Sequence, residues 1–320
     1  MSASGYSSRS GAVTDSRSVT EKNLDLGFRW LTYAFAIGIG LILVSIALII
    51  IIGAWPAIVE INFSFFAGSN WNPVINNYGT LMVIYGTLVS SFIALLIAVP
   101  LGVGAAIFLS EDFIPEQIRT VLVFLVEILA AIPSVVYGLW GIFVLIPITK
   151  VFGTWLNTNF GWIPIFSTVP PGPGMLPAGI ILSIMILPII IAISRDSLAS
   201  LPPDLRQASL GLGATRWETI FRVLIPAGIS GIVGGTMLAL GRAMGETMAV
   251  TMIIGNSNRI NVSVLDPANT IASLIANQFA EASGLQVSAL MYAGLVLMIL
   301  TFIVNIFAEL IVNKIKAKYE

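Results

Sequence analysis

Long apolar runs constrain this chain more than any other feature. A transmembrane α-helix needs about 20 consecutive, mostly apolar residues to cross the hydrocarbon core of a bilayer. Charged residues make up only 10% of this chain, whereas soluble globular domains contain about 25%. The sequence therefore predicts an all-α polytopic membrane protein with six transmembrane helices, at about residues 32–54, 80–108, 119–149, 176–194, 228–255 and 287–312.

Three prolines lie within the second and third of these runs. Both runs are longer than one crossing needs, and they contain Pro100, Pro133 and Pro147. Proline lacks an N–H group and its ring clashes with the carbonyl four residues earlier, which kinks or breaks a helix. We therefore expect these two spans to tilt or kink, with a helix break near Pro133.

The lysines and arginines predict the orientation of the spans. If the N-terminus is cytoplasmic, 12 of the 15 basic residues fall on the cytoplasmic side. Only Lys150 and Arg259 fall outside, and Arg242 lies within a span. An excess of Lys and Arg marks cytoplasmic loops, and an even number of spans returns the chain to its starting side. We therefore predict that both termini and the loop at about residues 200–227 are cytoplasmic.

The first 28 residues are predicted to form a disordered cytoplasmic tail. Residues 1–23 are rich in serine, carry charges of both signs and contain no apolar centre. Such a segment cannot bury enough apolar surface to order itself. Residues 29–320 are predicted to form one transmembrane domain that contains the loop at 200–227.

Two residue types that dominate enzyme active sites are missing from the sequence. The chain has no cysteine and no histidine, so it lacks thiolate nucleophiles and the commonest general base and metal ligand. It also lacks the G-x-x-x-x-G-K-[ST] loop that cradles nucleotide phosphates. We therefore expect a protein that is not an enzyme, with no metal site, no cofactor and no nucleotide site of its own.

The loop at 200–227 has the signals of two short helices separated by a turn. Pro203 suits the first turn of a helix, and Gly213 can adopt the left-handed conformation that helix ends need. Thr215 and Glu218 match the S/T-x-x-E capping box of a second helix. Pro226 is expected to end that helix, whose apolar stripe consists of Trp217, Ile220, Phe221 and Leu224. A stripe of this kind either packs against its own protein or docks on a partner.

Three ionisable residues lie well inside apolar runs: Glu127, Arg242 and Glu246. Each costs roughly 2.5–3.5 kcal/mol on insertion scales, so its presence needs a reason. Arg242 and Glu246 are four residues apart and are expected to share a helix face. They either neutralise each other beside a Gly241-x3-Gly245 packing motif or line a translocation path. The second interpretation favours an anion, because a guanidinium offers several donors that match an oxyanion.

Glu127 lies shortly before the break expected near Pro133. Its carboxylate either bonds to backbone groups that the proline frees or contributes to the same path. Ser134 and Tyr137 follow on the next segment and could supply neutral donors to a passing anion. The candidate path residues are therefore Arg242, Glu246, Glu127, Ser134 and Tyr137.

The loop at 200–227 resembles the EAA loop of ABC importer permeases. The matching residues are Gln207, Ala208, Ser209, Gly213, Val223, Ile225 and Pro226. Two positions depart from the family pattern, since Gln207 replaces an acidic residue and Ser209 replaces an alanine. The resemblance implies a cytoplasmic coupling helix that sits in a groove of a separate ATPase. We expect the coupling residues to be Gln207, Ala208, Ser209, Gly213, Trp217, Ile225 and Pro226.

Four further stretches resemble the phosphate importer permeases of this class, and the resemblance covers about residues 30–315. They are 85–91, 98–107, 127–138 and 241–248. The long tail and the loop after the first span are closer to the PstC-type subunit than to its PstA-type partner. The resemblance implies phosphate as substrate and a transport role for Arg242 and Glu246. It also implies a bacterial cytoplasmic membrane location, an ATPase dimer, a PstA-type permease subunit and a soluble phosphate-binding protein as partners, with no nucleic acid.

Other functions stay open at the level of the sequence. Within the same class, the chain could carry another oxyanion or be the sister PstA-type subunit. A self-sufficient anion channel or ion-coupled carrier is the alternative from a different class. That alternative does not explain the capped helix pair at 200–227, and the spans contain few of the acidic groups that ion coupling uses.

Overall fold

A computed structural model describes residues 19–319 of the chain. Two antiparallel strands, β1 (Trp71–Asn72) and β2 (Asn77–Tyr78), form a short hairpin. Everything else that is regular is helical. The α-helices are α1 (Val19–Ile61), α2 (Ser64–Ala67), α3 (Leu81–Ser110), α4 (Glu116–Ala131), α5 (Ser134–Trp140), α6 (Ile146–Phe160), α7 (Met175–Ala199), α8 (Pro203–Gly211), α9 (Arg216–Thr219), α10 (Ile225–Gly245), α11 (Met248–Ile253), α12 (Ile271–Gln278) and α13 (Leu285–Tyr319).

Six helical stretches in the described chain are long and apolar enough to cross a membrane. They are Asn23–Ile61, Leu81–Ser110, Ser134–Phe160, Met175–Ala199, Arg216–Gly245 and Leu285–Leu310. The predicted all-α class and the number of spans are confirmed. The bounds of the third and fifth spans differ from the prediction.

The third apolar run, predicted as one span over 119–149, is divided into two helices. α4 ends at Ala131, and Ile132 has an extended backbone with φ −66° and ψ 127°. A residue before proline is pushed out of the helical region, so Pro133 separates α4 from α5. The spanning stretch is therefore Ser134–Phe160, while α4 is a separate amphipathic helix without buried residues.

The fifth span begins earlier than predicted, because Pro226 does not end its helix. The helix Arg216–Gly245 runs through Pro226 by way of a π-helical turn, Ile220–Leu224. In this turn the N–H of Ile225 donates to the carbonyl of Ile220, five residues earlier. The wider turn makes room for a proline ring that a regular α-helix would exclude. A second π-helical turn, Gly141–Leu145, stands before Pro147 in the same way.

The N-terminal boundary also differs from the prediction. α1 begins at Val19, so residues 19–28 are helical although a disordered tail was predicted for 1–28. The rest of that predicted tail lies outside the described residues. The chain separates into two compact units, one ending at Ile49 and the other starting at Ile50. The described part of the first unit is helical throughout.

The core of the second unit forms around α7, which packs against α3 and α10. Glycines allow the close approach, since a Cβ on Gly179 would lie 2.5 Å from the side chain of Ile93. A second cluster joins the hairpin and α12 to α13, where the rings of Phe65 and Tyr292 stack at 4.1 Å. These packed helices are the frame on which the shorter helices α4, α5, α8 and α11 are held.

Candidate functional site

The break between α4 and α5 brings together three of the predicted path residues. Glu127 is exposed on α4, and Ser134 and Tyr137 lie one turn apart at the start of α5. The hydroxyl of Tyr137 donates to the carbonyl of Leu129 at 2.9 Å. Leu129 is four residues before Pro133, so its carbonyl is the one that the missing proline N–H would otherwise have satisfied. Tyr137 therefore stabilises the break.

The alternative role predicted for Glu127, bonding to backbone groups freed by Pro133, is wrong. Among the hydrogen bonds of the described residues, none involves Glu127, and Tyr137 satisfies the carbonyl instead. The side chain of Glu127 is exposed on a helix that has no buried residue. Its carboxylate is free to face a path or a neighbouring subunit.

A second break separates Arg242 from Glu246. Arg242 lies in the last turn of α10, which ends at Gly245, and Glu246 has an extended backbone with φ −67° and ψ 123°. The prediction that the two side chains share one helix face is wrong, because the helix does not continue through Glu246. Among the ion pairs of residues 19–319, none joins them. The carboxylate of Glu246 instead accepts from the backbone N–H of Ala249 at 3.3 Å and caps α11.

The two breaks lie side by side because α5 packs closely on α11. A Cβ on Gly138 would lie 2.5 Å from the sulfur of Met252 and 3.4 Å from the Cα of Ala249. Tyr137, Ala249 and Ile253 are buried together at this contact. The start of α5 and the start of α11 are thereby held as neighbours.

Charged and hydroxyl side chains lie near these two breaks. Arg242 lies in the last turn of α10, one turn before the second break. Arg242 is exposed on this subunit, and Glu246 is half-buried. A guanidinium offers several donors that can bind an oxyanion. The predicted path residues Arg242, Glu246, Ser134 and Tyr137 therefore lie at, or within one turn of, the two neighbouring breaks, and Glu127 lies on α4.

The loop at 200–227 contains the predicted helix–turn–helix. Gly213 has φ +88°, the left-handed conformation that favours glycine. The Thr215 hydroxyl accepts from the N–H of Glu218 at 3.3 Å, and the Glu218 carboxylate accepts from the N–H of Thr215 at 2.9 Å. The predicted capping box is confirmed.

The apolar stripe of the second helix does not form one docking face. Ile220 and Leu224 are only 3% and 1% exposed and pack against Leu198 within the subunit. Trp217 and Phe221 are each 59% exposed. The stripe is divided because its helix continues into the span Arg216–Gly245, whose inner side must face the core. Within the stripe, Trp217 and Phe221 are thus left exposed for a partner, and docking of the helix over Thr215–Leu224 on an ATPase stays a prediction.

A different part of the loop exposes apolar side chains. α8 has no buried residue, and Leu205, Leu210 and Leu212 are 37%, 46% and 90% exposed. We call these three side chains, with the rest of α8, the α8 surface. Three leucines are thus exposed on or directly after a short helix.

The predicted coupling residues are distributed between the α8 surface and the spanning helix. Gln207 and Ala208 are exposed on α8. Ser209 is hydrogen-bonded to the hydroxyl of Thr219 at 2.9 Å, which ties α8 to α9. The remaining members are Gly213 in the turn, Trp217 on α9, and Ile225 and Pro226, which are half-buried in the first turn of α10.

Sequence reasoning missed an ion pair that holds α8 in place. The guanidinium of Arg206 contacts one carboxylate oxygen of Glu111 through two nitrogens, at 2.9 and 3.0 Å. It also donates to the carbonyl of Leu198 at 2.9 Å. Glu111 lies between α3 and α4, 95 residues earlier in the chain. No spacing pattern links residues so far apart, and only their opposite charges hinted at the pair.

Comparisons with known proteins match most of the chain. The family described as binding-protein-dependent transport system inner membrane component matches residues 98–317. The phosphate transport system permease protein PstC of Pasteurella multocida is 44% identical over 300 residues, which cover 92% of this chain and 93% of that protein. Its namesake from Mesorhizobium japonicum is 43% identical and covers 96% of both chains.

A solved structure has the same fold. The inward-facing MetNI methionine ABC transporter aligns with a TM-score of 0.52 at 21% identity, over 74% of this chain and 94% of that one. At this identity the likeness concerns the arrangement of helices.

Proposed function

Because this chain belongs to the family of binding-protein-dependent transport system inner membrane components, we propose that it is a PstC-type permease subunit of an ATP-driven phosphate importer. The observation that carries the proposal is the 44% identity to a phosphate permease over 92% of the chain. Similarity at this level over the whole length includes both candidate sites. The protein is a multi-pass protein of the inner membrane.

The proposed partners follow from what an importer of this class needs. The chain has no phosphate-cradling nucleotide loop, so ATP is hydrolysed by separate ATPase subunits. A PstA-type permease subunit completes the path, and a soluble phosphate-binding protein delivers the substrate from outside. The distribution of Lys and Arg supports cytoplasmic termini and a cytoplasmic α8 surface.

The α8 surface is the proposed docking site for the ATPase. Leu205, Leu210 and Leu212 offer exposed apolar area on a helix that its own subunit leaves uncovered. Gln207 is neutral, so this position can bond to the ATPase through its amide but cannot form a salt bridge. We expect the contact to depend on apolar burial, which salt screens less than ion pairing.

Phosphate is proposed to pass the two neighbouring breaks, where Arg242 supplies positive charge. Ser134 contributes a neutral hydroxyl group at the start of α5, and Tyr137 supports this break through its bond to the carbonyl of Leu129. A single arginine attracts an anion, and the nearby carboxylates keep the net charge low enough for release. Glu246 holds α11 in position through its bond to Ala249.

Substrate selectivity tests the proposal directly. The complex of this chain with its sister permease, ATPase and binding protein is reconstituted in liposomes, and uptake of labelled phosphate and labelled sulfate is compared. We expect phosphate uptake that requires the binding protein and that unlabelled sulfate does not compete. Equal uptake of sulfate would show that the substrate is another oxyanion.

A further inference from the structure

The α8 surface is attached to the rest of the subunit mainly through polar contacts. Because α8 buries no residue, apolar packing within the subunit transmits little of any force applied to it. Two side chains of α8 make hydrogen bonds to other elements of the described chain: Arg206 and Ser209. Ser209 reaches only the adjacent α9, so Arg206 makes the contacts with the ends of α3 and α7.

The contact between Arg206 and Glu111 is geometrically well defined. Two guanidinium nitrogens lie 2.9 and 3.0 Å from the same carboxylate oxygen, and the second oxygen lies 3.4 Å from Nε. The side chains are 23% and 17% exposed, so water screens this pair less than a surface pair. Multiple charge-assisted bonds fix orientation as well as distance.

Glu111 is also bonded to α4. Its backbone carbonyl accepts from the guanidinium of Arg119 at 3.1 Å, and Arg119 lies in the first turns of α4. The carboxylate of the next residue, Asp112, accepts from Arg119 at 3.0 Å. The turn that starts at Glu111 is therefore held from one side by α8 and from the other by α4.

The far end of α4 reaches the candidate path. α4 has 16 residues, which span roughly 24 Å at 1.5 Å per residue. It ends at the break before Pro133, where the carbonyl of Leu129 accepts from Tyr137. α4 buries no residue of its own and packs on α7, so a displacement of its first turn can be carried along the helix to the break.

We propose that Glu111 is a positioning residue that makes α8 and α4 move together. Displacement of α8 by an ATPase pulls Arg206, Glu111 and then Arg119, and α4 transmits the shift to the break beside Tyr137. This inference rests on the proposed function, because it requires an ATPase on α8. The covalent connection from α8 runs through Gly213 and α10 to Arg242. The Glu111 contact instead leads through α4 to the break beside Tyr137.

The test measures coupling in the complete importer complex in liposomes. Glu111→Gln keeps the shape of the side chain and removes its charge, and Glu116→Gln is the matched control on an exposed carboxylate in the first turn of α4. Phosphate taken up per ATP hydrolysed, ATP hydrolysis rate and complex yield are measured for each. We expect Glu111→Gln to lower the phosphate-to-ATP ratio about tenfold at normal complex yield, and Glu116→Gln to leave the ratio unchanged.

A charge exchange separates positioning from a general structural role. The double variant E111R with R206E restores opposite charges at the same place, so we expect it to recover part of the lost ratio. The inference is overturned if Glu111→Gln takes up as much phosphate per ATP hydrolysed as the wild type. It is also overturned if the variant lowers complex yield while the complex that does form has a normal phosphate-to-ATP ratio. A wild-type complex that takes up no phosphate with ATP overturns the proposed function instead.

Discussion

At the scale of single residues, the two charged path candidates have different tasks. A spacing of four places Arg242 and Glu246 on one face only if the helix continues between them, and α10 ends at Gly245. Glu246 then caps α11 through the N–H of Ala249. Among the ion pairs of the described residues, Arg242 has no carboxylate partner, which is compatible with its proposed contact with the transported anion.

Arg242→Gln is expected to reduce phosphate uptake by about 10- to 100-fold, because charged hydrogen bonds contribute roughly 1.5–3 kcal/mol. Complex yield should not fall, since removing a charge from membrane depth makes insertion easier. Initial uptake rates and complex yield are measured in parallel. Arg259→Gln, an exposed arginine in the loop after α11, is the control. Wild-type uptake by Arg242→Gln would remove this residue from the path.

Removing the acceptor oxygen of Glu246 is expected to lower the stability of the subunit. Glu246→Ala removes the cap of α11 and should destabilise the subunit by about 0.5–2 kcal/mol. Glu246→Gln keeps a carbonyl oxygen in the same place and should destabilise it less. Thermal unfolding of the two purified complexes measures the difference. Identical unfolding temperatures for both variants would contradict a capping role.

At the scale of elements, the dipeptide Ile-Pro occurs in two different structural settings in this chain. Ile132-Pro133 separates two helices, whereas Ile146-Pro147 and Ile225-Pro226 lie inside continuous helical stretches. The continuous cases are accommodated by π-helical turns, and the break is stabilised by Tyr137. The sequence identifies where a proline disturbs a helix. The packing around each proline decides whether the helix ends there or continues through a π-helical turn.

The turn after α8 gives a prediction about coupling. Gly213 has φ +88°, and a Cβ there would meet nothing within 4 Å, so a substitution costs backbone strain without a clash. Gly213→Val should therefore change the turn and uncouple transport from ATP hydrolysis. Gly213→Asn should retain coupling, because asparagine tolerates the left-handed region. Phosphate uptake and ATP hydrolysis are measured for both, and equal coupling in both variants would contradict a role for this turn.

At the scale of the whole molecule, the sequence predicts the parts whose signals are local. The membrane class and six spans follow from run length, and the capping box follows from residues three apart. The contact of Glu111 with Arg206 and the neighbouring starts of α5 and α11 do not follow, because they depend on how distant helices pack. Three predicted coupling residues, Gln207, Ala208 and Ser209, lie on α8, but its exposed leucines were not predicted, since the stripe on α9 was the stronger periodic signal.

The most direct test of the account is phosphate accumulation in liposomes that contain the complete importer complex. Labelled phosphate and the binding protein are supplied on one side, and ATP is supplied on the side of the ATPase or withheld. The account predicts accumulation against a gradient only with both ATP and the binding protein, and its loss when ATP hydrolysis is blocked. Phosphate uptake at the same rate without ATP would contradict it and would identify the chain as a self-sufficient carrier.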